Sequence, residues 1–285
     1  MRALPILPAV LLLLVFLAGP IVWALLGSLS DRALTGPGAA NPQFVGLDNY
    51  ARLFADPVLP LSIGITVAFV VGSAIVGQNV VGMLLAVLFR VGSRGLSGVV
   101  GVLVVTAWVL PEIVAAFVSY AFLSADGTLN ALLAGVGIEG PNWLYSLPLL
   151  SIILANTWRG TAFSMMIYRA ALDDVPPEVT ESAMLDGAGA WQRLRFITLP
   201  MIKSTIFTNL LLTTLQTLSV FTLIWVMTKG GPGKLSTTLP VFAYTEAFSF
   251  GDIGYGNAIA VVMLLLGAVF SVGYVLSLRR SGDRE

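Results

Sequence analysis

The stretch "VTESAMLDGAGAWQRLRFITLPMI", residues 179–202, decides how the rest of the chain is read. It places Glu181, Asp186, Arg193 and Arg195 inside a chain that is 57% hydrophobic and only 11% charged. Just upstream, Pro176 and Pro177 suit a helix start, where a missing N–H costs no hydrogen bond, and Asp173, Asp174 and Glu178 put negative charge at the positive end of that helix. Val175, Val179 and Ala183, continued by Gly187 or Ala188, form one small apolar side, whereas Glu181 and Asp186 face elsewhere. Gly187 then relaxes the chain, and Ala188 to Phe196 adds a second amphipathic turn or two around Trp191 and Phe196. Pro200 is expected to start the next apolar helix. Two readings of this helix-Gly-helix segment are open: an anchor lying in a membrane interface, or a lever that another protein moves.

The surroundings are membrane-like. Mean hydropathy over 285 residues is +0.91, and the charged fraction is far below the roughly one quarter usual in soluble domains. The absence of Cys and His removes disulfides, thiol chemistry, imidazole bases and the usual zinc ligands, so side-chain catalysis and metal binding are not expected. With 15 basic and 15 acidic residues the formal charge is zero, which suggests no nucleic-acid surface.

A helix needs about 20 largely apolar residues to cross the hydrocarbon layer. Six such intervals are found, at 6–29, 61–89, 98–123, 145–170, 199–228 and 255–278. The first begins like a signal peptide, but its apolar run is too long for one and is expected to remain as an uncleaved helix. No soluble domain fits between the spans, so 1–285 is read as one all-α polytopic membrane domain. With the amino terminus inside, ten of the fifteen Lys and Arg lie on the inner side, four (Arg32, Arg52, Lys229, Lys234) lie outside, and Arg159 lies within a span. That asymmetry predicts both termini, and residues 175–196, on the cytoplasmic side. The outer connections are then 31–60, 124–144 and 229–254.

Glu112 and Arg159 each sit about 14 residues into their spans, near mid-membrane at about 1.5 Å per residue. An isolated charge there is costly, so the two are expected to face the bundle interior, either paired or lining a shared aqueous path. The competing account gives them to helix packing, Glu112 at a Pro111 kink and Arg159 on backbone carbonyls.

The pattern Glu181-Ser182-Ala183, three residues, Gly187, nine residues, then Ile197-Thr198-Leu199-Pro200 resembles the cytoplasmic coupling motif of ABC importer permeases, with Ser182 where Ala is usual. Asp186, Ala188, Trp191 and Phe196 are similar to the carbohydrate-uptake branch. "VGLDNYARLF" (45–54), "LPEIVAAFVSYAFLSADGTLNALLAGVGI" (110–138), "NTWRGTAFSMMIYRAAL" (156–172) and "MTKGGPGKLSTTLPVFAYTEAFSFGDIGYGNAIAVV" (227–262) extend the likeness over nearly the whole chain, toward the maltose and glycerol-phosphate permease type.

The resemblance implies a type I ABC importer permease with six transmembrane helices and a cytoplasmic coupling helix at 175–196, in a bacterial or archaeal cytoplasmic membrane. Its partners would be a second, paralogous permease subunit, two ATPase subunits and an extracytoplasmic sugar-binding protein. ATP and Mg would be bound by the ATPases, since this chain has no GxxxxGK[ST] stretch. Glu181, Ser182, Ala183, Asp186, Gly187 and Ala188 would meet the ATPase. Glu112, Asn156, Trp158, Arg159, Gly160, Phe163, Gln216, Thr217, Ser219 and Val220 would line the sugar path, with Gln216 and Thr217 standing where the maltose type has an aromatic-Asn pair. Aromatic faces beside amides suit a neutral saccharide. The same residues as core packing, a permease of this fold for a phosphodiester, polyol or peptide, and a secondary transporter are the alternatives.

Overall fold

The computed structural model describes residues 7–92 and 94–282, which are almost entirely helical; the described residues contain a single isolated β-bridge, Ser30 to Phe44. The chain divides into two compact units, one comprising residues up to Gly64 with Thr237–Leu266, the other Ile65–Ser236 with the residues from Gly267 onward.

Four helices among the described residues are long and apolar enough to cross a membrane: α1 (Val10–Ser28), α2 (Val58–Arg90), the stretch Glu112–Gly135, and a carboxy-terminal helix whose qualifying part is Ile253–Ser277. A fifth results if Ala190–Met201 and Lys203–Leu218, bent by 70° at Ile202, count as one span. Six separate apolar spans therefore do not emerge, and two expected spans are broken. The interval 98–123 splits into α3 (Arg94–Val109) and α4 (Glu112–Leu123). Pro111, extended at φ −51°, ψ 141°, caps the second piece, as a residue without an N–H does at a helix start. The interval 199–228 splits into Leu199–Met201, α7 (Lys203–Leu218) and α8 (Thr222–Thr228). Pro200 lies inside Leu199–Met201 rather than opening the long helix, and the π turns of Leu194–Thr198 precede it. The proline ring crowds the carbonyl four residues back, and a widened turn relieves that crowding. The stretch Glu112–Gly135 is itself interrupted, since α4 ends at Ser124 (ψ 163°) before Thr128–Gly135.

In the first unit α1 is exposed over nearly its whole length, as suits a helix facing lipid. Its carboxy end is tied down by polar groups. Asn49 Nδ2 donates to the Ser28 and Ser30 carbonyls, both at 2.9 Å, and Ser28 Oγ and Tyr50 Oη share a 2.7 Å hydrogen bond. Gly254 N–H donates to Arg32 O at 2.8 Å, so the end of α1 meets the start of the carboxy-terminal helix α9 (Ile253–Gly282). The apolar core is Leu53, Leu59, Leu239, Phe242, Tyr255, Ala258 and Ile259. Arg52 lies 4.0 Å over the Tyr255 ring and bonds Asp252 at 2.6 Å, and Tyr255 O–H donates to Asp56 at 2.8 Å. Burial opposes the Arg52 charge, but the hydrogen bond and charge of Asp252 outweigh it and raise its pKa.

The second unit is built around α5 (Pro148–Asp173), 26 residues long. Its side of α2 carries glycines where the helices touch: a Cβ on Gly72 would lie 2.8 Å from Ile153 Cδ1, one on Gly77 would strike Thr157, and one on Gly82 would lie 2.6 Å from Ser164 Cβ and 2.9 Å from Met165 N. Small residues let helix backbones approach closely where lipid supplies no hydrophobic drive. Gly72 and Gly77, five apart, share a face because Val70–Gln78 is π-helical, bonded i to i+5. The contact numbers rise together on both helices, so α2 and α5 run parallel. Against α7 the order reverses: Asn156 meets Thr217 and Ser164 meets Asn209, so α5 and α7 are antiparallel. The chain between two parallel helices must return to the end where the first began, and that chain includes α3 and α4.

Candidate coupling segment and intramembrane polar core

The opening stretch of sequence forms two helical pieces. The first, α6 (Pro177–Leu185), has Pro177 at its first position and Glu178 in its first turn. It ends in a reversal built on Gly187 at φ +83°. Ala188 N–H donates to Ala183 O at 2.9 Å and Gly187 N–H to Met184 O at 3.1 Å, the two bonds of a left-handed glycine cap. The second piece starts at Ala190, with Gly189 N–H on Gln192 Oε1 at 2.8 Å and Arg193 bonding Ala188 O at 2.7 Å across the turn.

Both roots of this segment are buried in one apolar cluster. Val175 and Ile202 pack with Ala86, Tyr168, Ala171 and Leu172, from α2 and α5. Burying side chains of this size contributes about 1.5–3 kcal/mol each, enough to make the segment follow the helices it is rooted in. Its tip is bare. Leu185 is 90% exposed, and Glu181, Ser182, Met184, Asp186 and Gly187 are exposed around it. Ala183 faces inward, as Val175 does, while Ala188 is half-buried and Val179 points further outward than its spacing suggested. The sequence reading passed over Met184 and Leu185; the signal was available in two large apolar residues beside Glu181 on the polar side of a short amphipathic helix.

The expected pathway residues separate into two groups. Asn156 and Thr217 are buried and bonded to each other at 3.4 Å, with Asn156 also donating to Ser73 Oγ at 2.9 Å. The space beside Gly160 is filled by the Gln78 amide, and Gln78 Nε2 donates to Asn156 O at 3.2 Å. Val220 is buried as well, so these four serve helix packing in this conformation. Trp158, Gln216 and Ser219 are exposed, and Phe163 stacks on Trp108 at 6.0 Å between centroids. The Asn156–Thr217 bond holds Trp158, Gln216 and Ser219 within about a turn of one level on α5 and α7.

Glu112 and Arg159 form no ion pair; Arg52 with Asp252 is the one salt bridge among the described residues. Because Pro111 breaks the helix, Glu112 stands at the start of α4 rather than mid-helix. Its Oε1 accepts Leu223 N–H at 3.1 Å, so it caps the first turn of α8, where backbone donors lack helical partners and the dipole favours an anion. Arg159 is half-buried, and its Nε has no hydrogen-bond partner.

Below this level lies a further network with no local signature in the sequence. Tyr168 O–H and Asn209 Nδ2 both donate to Asn79 Oδ1, the latter at 2.8 Å. Asn79 Nδ2 bonds Ala74 O at 2.7 Å and Thr213 Oγ1 at 3.2 Å, and Asn209 also reaches Ser164 Oγ at 2.9 Å. These groups join α2, α5 and α7 directly above the cluster that roots the coupling segment.

The described residues thus form a multi-pass helical bundle with a rooted, bare-tipped reversal between α5 and α7. The chain belongs to the family described as binding-protein-dependent transport system inner membrane component, which matches residues 78–282. It is 30% identical over 280 residues to the trehalose/maltose transport system permease protein MalF of Thermococcus litoralis, covering 95% of this chain and 91% of that one. The lactose transport system permease protein LacF of Rhizobium radiobacter is 30% identical, with 93% and 89% covered. Among solved structures, a bacterial alginate ABC transporter in complex with an alginate pentasaccharide-bound periplasmic protein matches with a TM-score of 0.82 at 23% identity, covering 96% of this chain and 92% of that one. The chain is thus a permease subunit forming half of an ABC importer pore, working with ATPase subunits and a binding protein. It is not itself catalytic, because ATP hydrolysis resides on a separate subunit. The described residues include no group of three His, Cys, Asp or Glu placed to hold a metal ion.

Proposed function

We propose that this chain is half of the pore of an ATP-driven importer for a neutral sugar, crossing the membrane six times with both termini in the cytoplasm. The observation that carries the coupling role is the exposed Leu185–Gly187 tip on a segment rooted through Val175 and Ile202 in α2, α5 and α7. Glu181, Ser182, Asp186 and Gly187 meet the ATPase, with Met184 and Leu185 as the apolar contact, and a second permease completes the pore. Closure of the ATPases moves the tip, and the rooted helices carry that motion to the level of Trp158, Arg159 and Gln216, which face the sugar.

Six crossings are supported by helix direction. The parallel course of α2 and α5 requires one crossing by α3 with α4, and α5 crosses despite its polar residues because Asn156 and Ser164 are spent on neighbouring helices. The sugar is supported by the trehalose/maltose and lactose systems named for the relatives.

Orientation is tested by single cysteines, which are unique because the chain has none. Pro141→Cys is expected to react with an impermeant maleimide from outside, and Gly282→Cys only after the membrane is opened; the reverse pattern refutes the topology. The substrate class is tested by ATP-dependent uptake of trehalose, maltose and lactose into proteoliposomes holding the assembled transporter and its binding protein. Uptake of at least one is expected, and uptake of none refutes the neutral-disaccharide reading.

A further inference from the structure

At the far end of α5 from the coupling segment, the second unit holds a cleft of about 590 Å³ to which Tyr120, Ser124, Asp126, Asn142, Tyr145 and Thr228 contribute. Its size falls within the roughly 300–1,000 Å³ of small-molecule sites. A 26-residue helix separates it from Asp173 by about 39 Å at 1.5 Å per residue. The cleft therefore opens on the side opposite the ATPase-facing tip.

Its walls are fixed and its functional groups are idle. Asn130 Nδ2 bonds the Ala125 and Pro141 carbonyls at 2.8 and 3.0 Å, and Trp143 Nε1 donates to Asn130 Oδ1 at 2.8 Å, so one amide clamps the two loops that frame the opening. Ser151 Oγ then bonds Trp143 O at 2.9 Å, joining that clamp to α5. By contrast, the Tyr120 and Tyr145 hydroxyls, the Asp126 carboxylate and the Asn142 side-chain amide have no hydrogen-bond partner among the described residues. Tyr120 is 45% and Tyr145 65% exposed. Interfacial tyrosines often belong to an aromatic belt against lipid, but a free carboxylate and amide in the same cleft do not suit lipid.

We propose that this cleft is an entry subsite for a neutral saccharide, an inference that rests on the importer reading above. Tyrosine faces cover the C–H surfaces of a pyranose, while the Asp126 carboxylate accepts from its hydroxyls and the Asn142 amide both donates and accepts. Among the described residues no Lys or Arg lines the cleft, so Asp126 repels an acidic saccharide. Idle groups on fixed walls bind without a reorganisation cost, which suits brief capture of a sugar released outside before it descends to Trp158 and Gln216.

The test is saturation-transfer NMR on the assembled, detergent-solubilised transporter without its binding protein, with trehalose, maltose and lactose as probes and digalacturonate as the acidic counterpart. Transfer to at least one neutral disaccharide is expected, severalfold weaker in the Tyr120→Ala/Tyr145→Ala double variant, where only the Trp158 and Gln216 level remains to supply it, weaker also in Asp126→Asn, and retained within twofold when both tyrosines become Phe. Digalacturonate is expected to receive none. Unchanged melting temperature and basal ATP hydrolysis establish that the variants fold. The subsite is overturned if no neutral disaccharide receives transfer, if the double Ala variant matches wild type, or if digalacturonate does as well as the neutral sugars. Uptake separates the two readings: transfer weakened in the double variant with no wild-type uptake removes the transported-sugar reading alone, whereas wild-type uptake with unaltered transfer in the double variant removes the cleft alone.

Discussion

Gly187→Val is expected to abolish ATP-coupled uptake, lowering it at least tenfold, while the protein still inserts and accumulates. At φ +83° a β-branched residue is an outlier, and the left-handed conformation costs an L-residue about 1–2 kcal/mol or more. A Cβ at Gly187 meets nothing within 4 Å among the described residues, so the core does not clash. The strain falls on the reversal after α6, and the added bulk falls on the tip proposed to meet the ATPase. Gly187→Asn, which tolerates the left-handed region better, should keep a substantial part of the activity. Ser182→Ala should be close to wild type, since Ser182 Oγ only bonds back to Glu178 O at 2.8 Å. Uptake and ATP hydrolysis measured on reconstituted complexes check the order. Wild-type uptake by Gly187→Val removes the docking role of the tip.

Asn79→Leu is expected to be the most damaging single change inside the bundle. It leaves the Tyr168 hydroxyl without its acceptor and takes one hydrogen bond each from Asn209 Nδ2 and Thr213 Oγ1, which keep Ser164 Oγ and Asn209 O as partners. A buried polar group left without its partner costs about 1–3 kcal/mol, although interhelical bonds in membranes average nearer about 0.6 kcal/mol. Three bonds lost at once therefore amount to about 2 kcal/mol even at the low end. Tyr168→Phe removes a single donor and leaves Asn209 on Asn79, so it should cost about 1 kcal/mol or less. Thermal unfolding in detergent measures the difference. Equal losses from the two variants would show that Asn79 is not the hub of the network. Because the network lies against the cluster holding Val175 and Ile202, Asn79→Leu should also leave ATP hydrolysis less dependent on the liganded binding protein.

The sequence disclosed the parts of this arrangement that are local. The first, second and sixth apolar intervals became helices close to their expected limits, because hydropathy and length are properties of consecutive residues. Gly187 was legible as a break between two amphipathic pieces, where a glycine relaxes the chain, but the left-handed reversal itself is a finding of the structure. The breaks at Pro111 and at Ser219–Phe221 were harder: hydropathy passes over them, since the flanking residues stay apolar while the backbone leaves the helix. Glu112, counted 14 residues into an expected span, starts α4 behind the Pro111 break that the competing account named, and accepts the Leu223 N–H of α8. The Asn79–Tyr168–Asn209 network had no sequence signature, because its members lie 89 and 130 positions from Asn79 and each is a single polar residue on an apolar helix. Gly160 looked like part of a sugar path until the Gln78 amide proved to occupy its open side.

A cross-link from the tip tests the central claim most directly. With Leu185→Cys as the only cysteine in the chain, a short maleimide-benzophenone reagent attached there should join this chain to one ATPase subunit on illumination. The yield should change when ATP closes the ATPases. A cysteine at 185 that labels freely from solvent, yet forms no product with the ATPase in a complex hydrolysing ATP, would contradict the assignment of this segment as the coupling element.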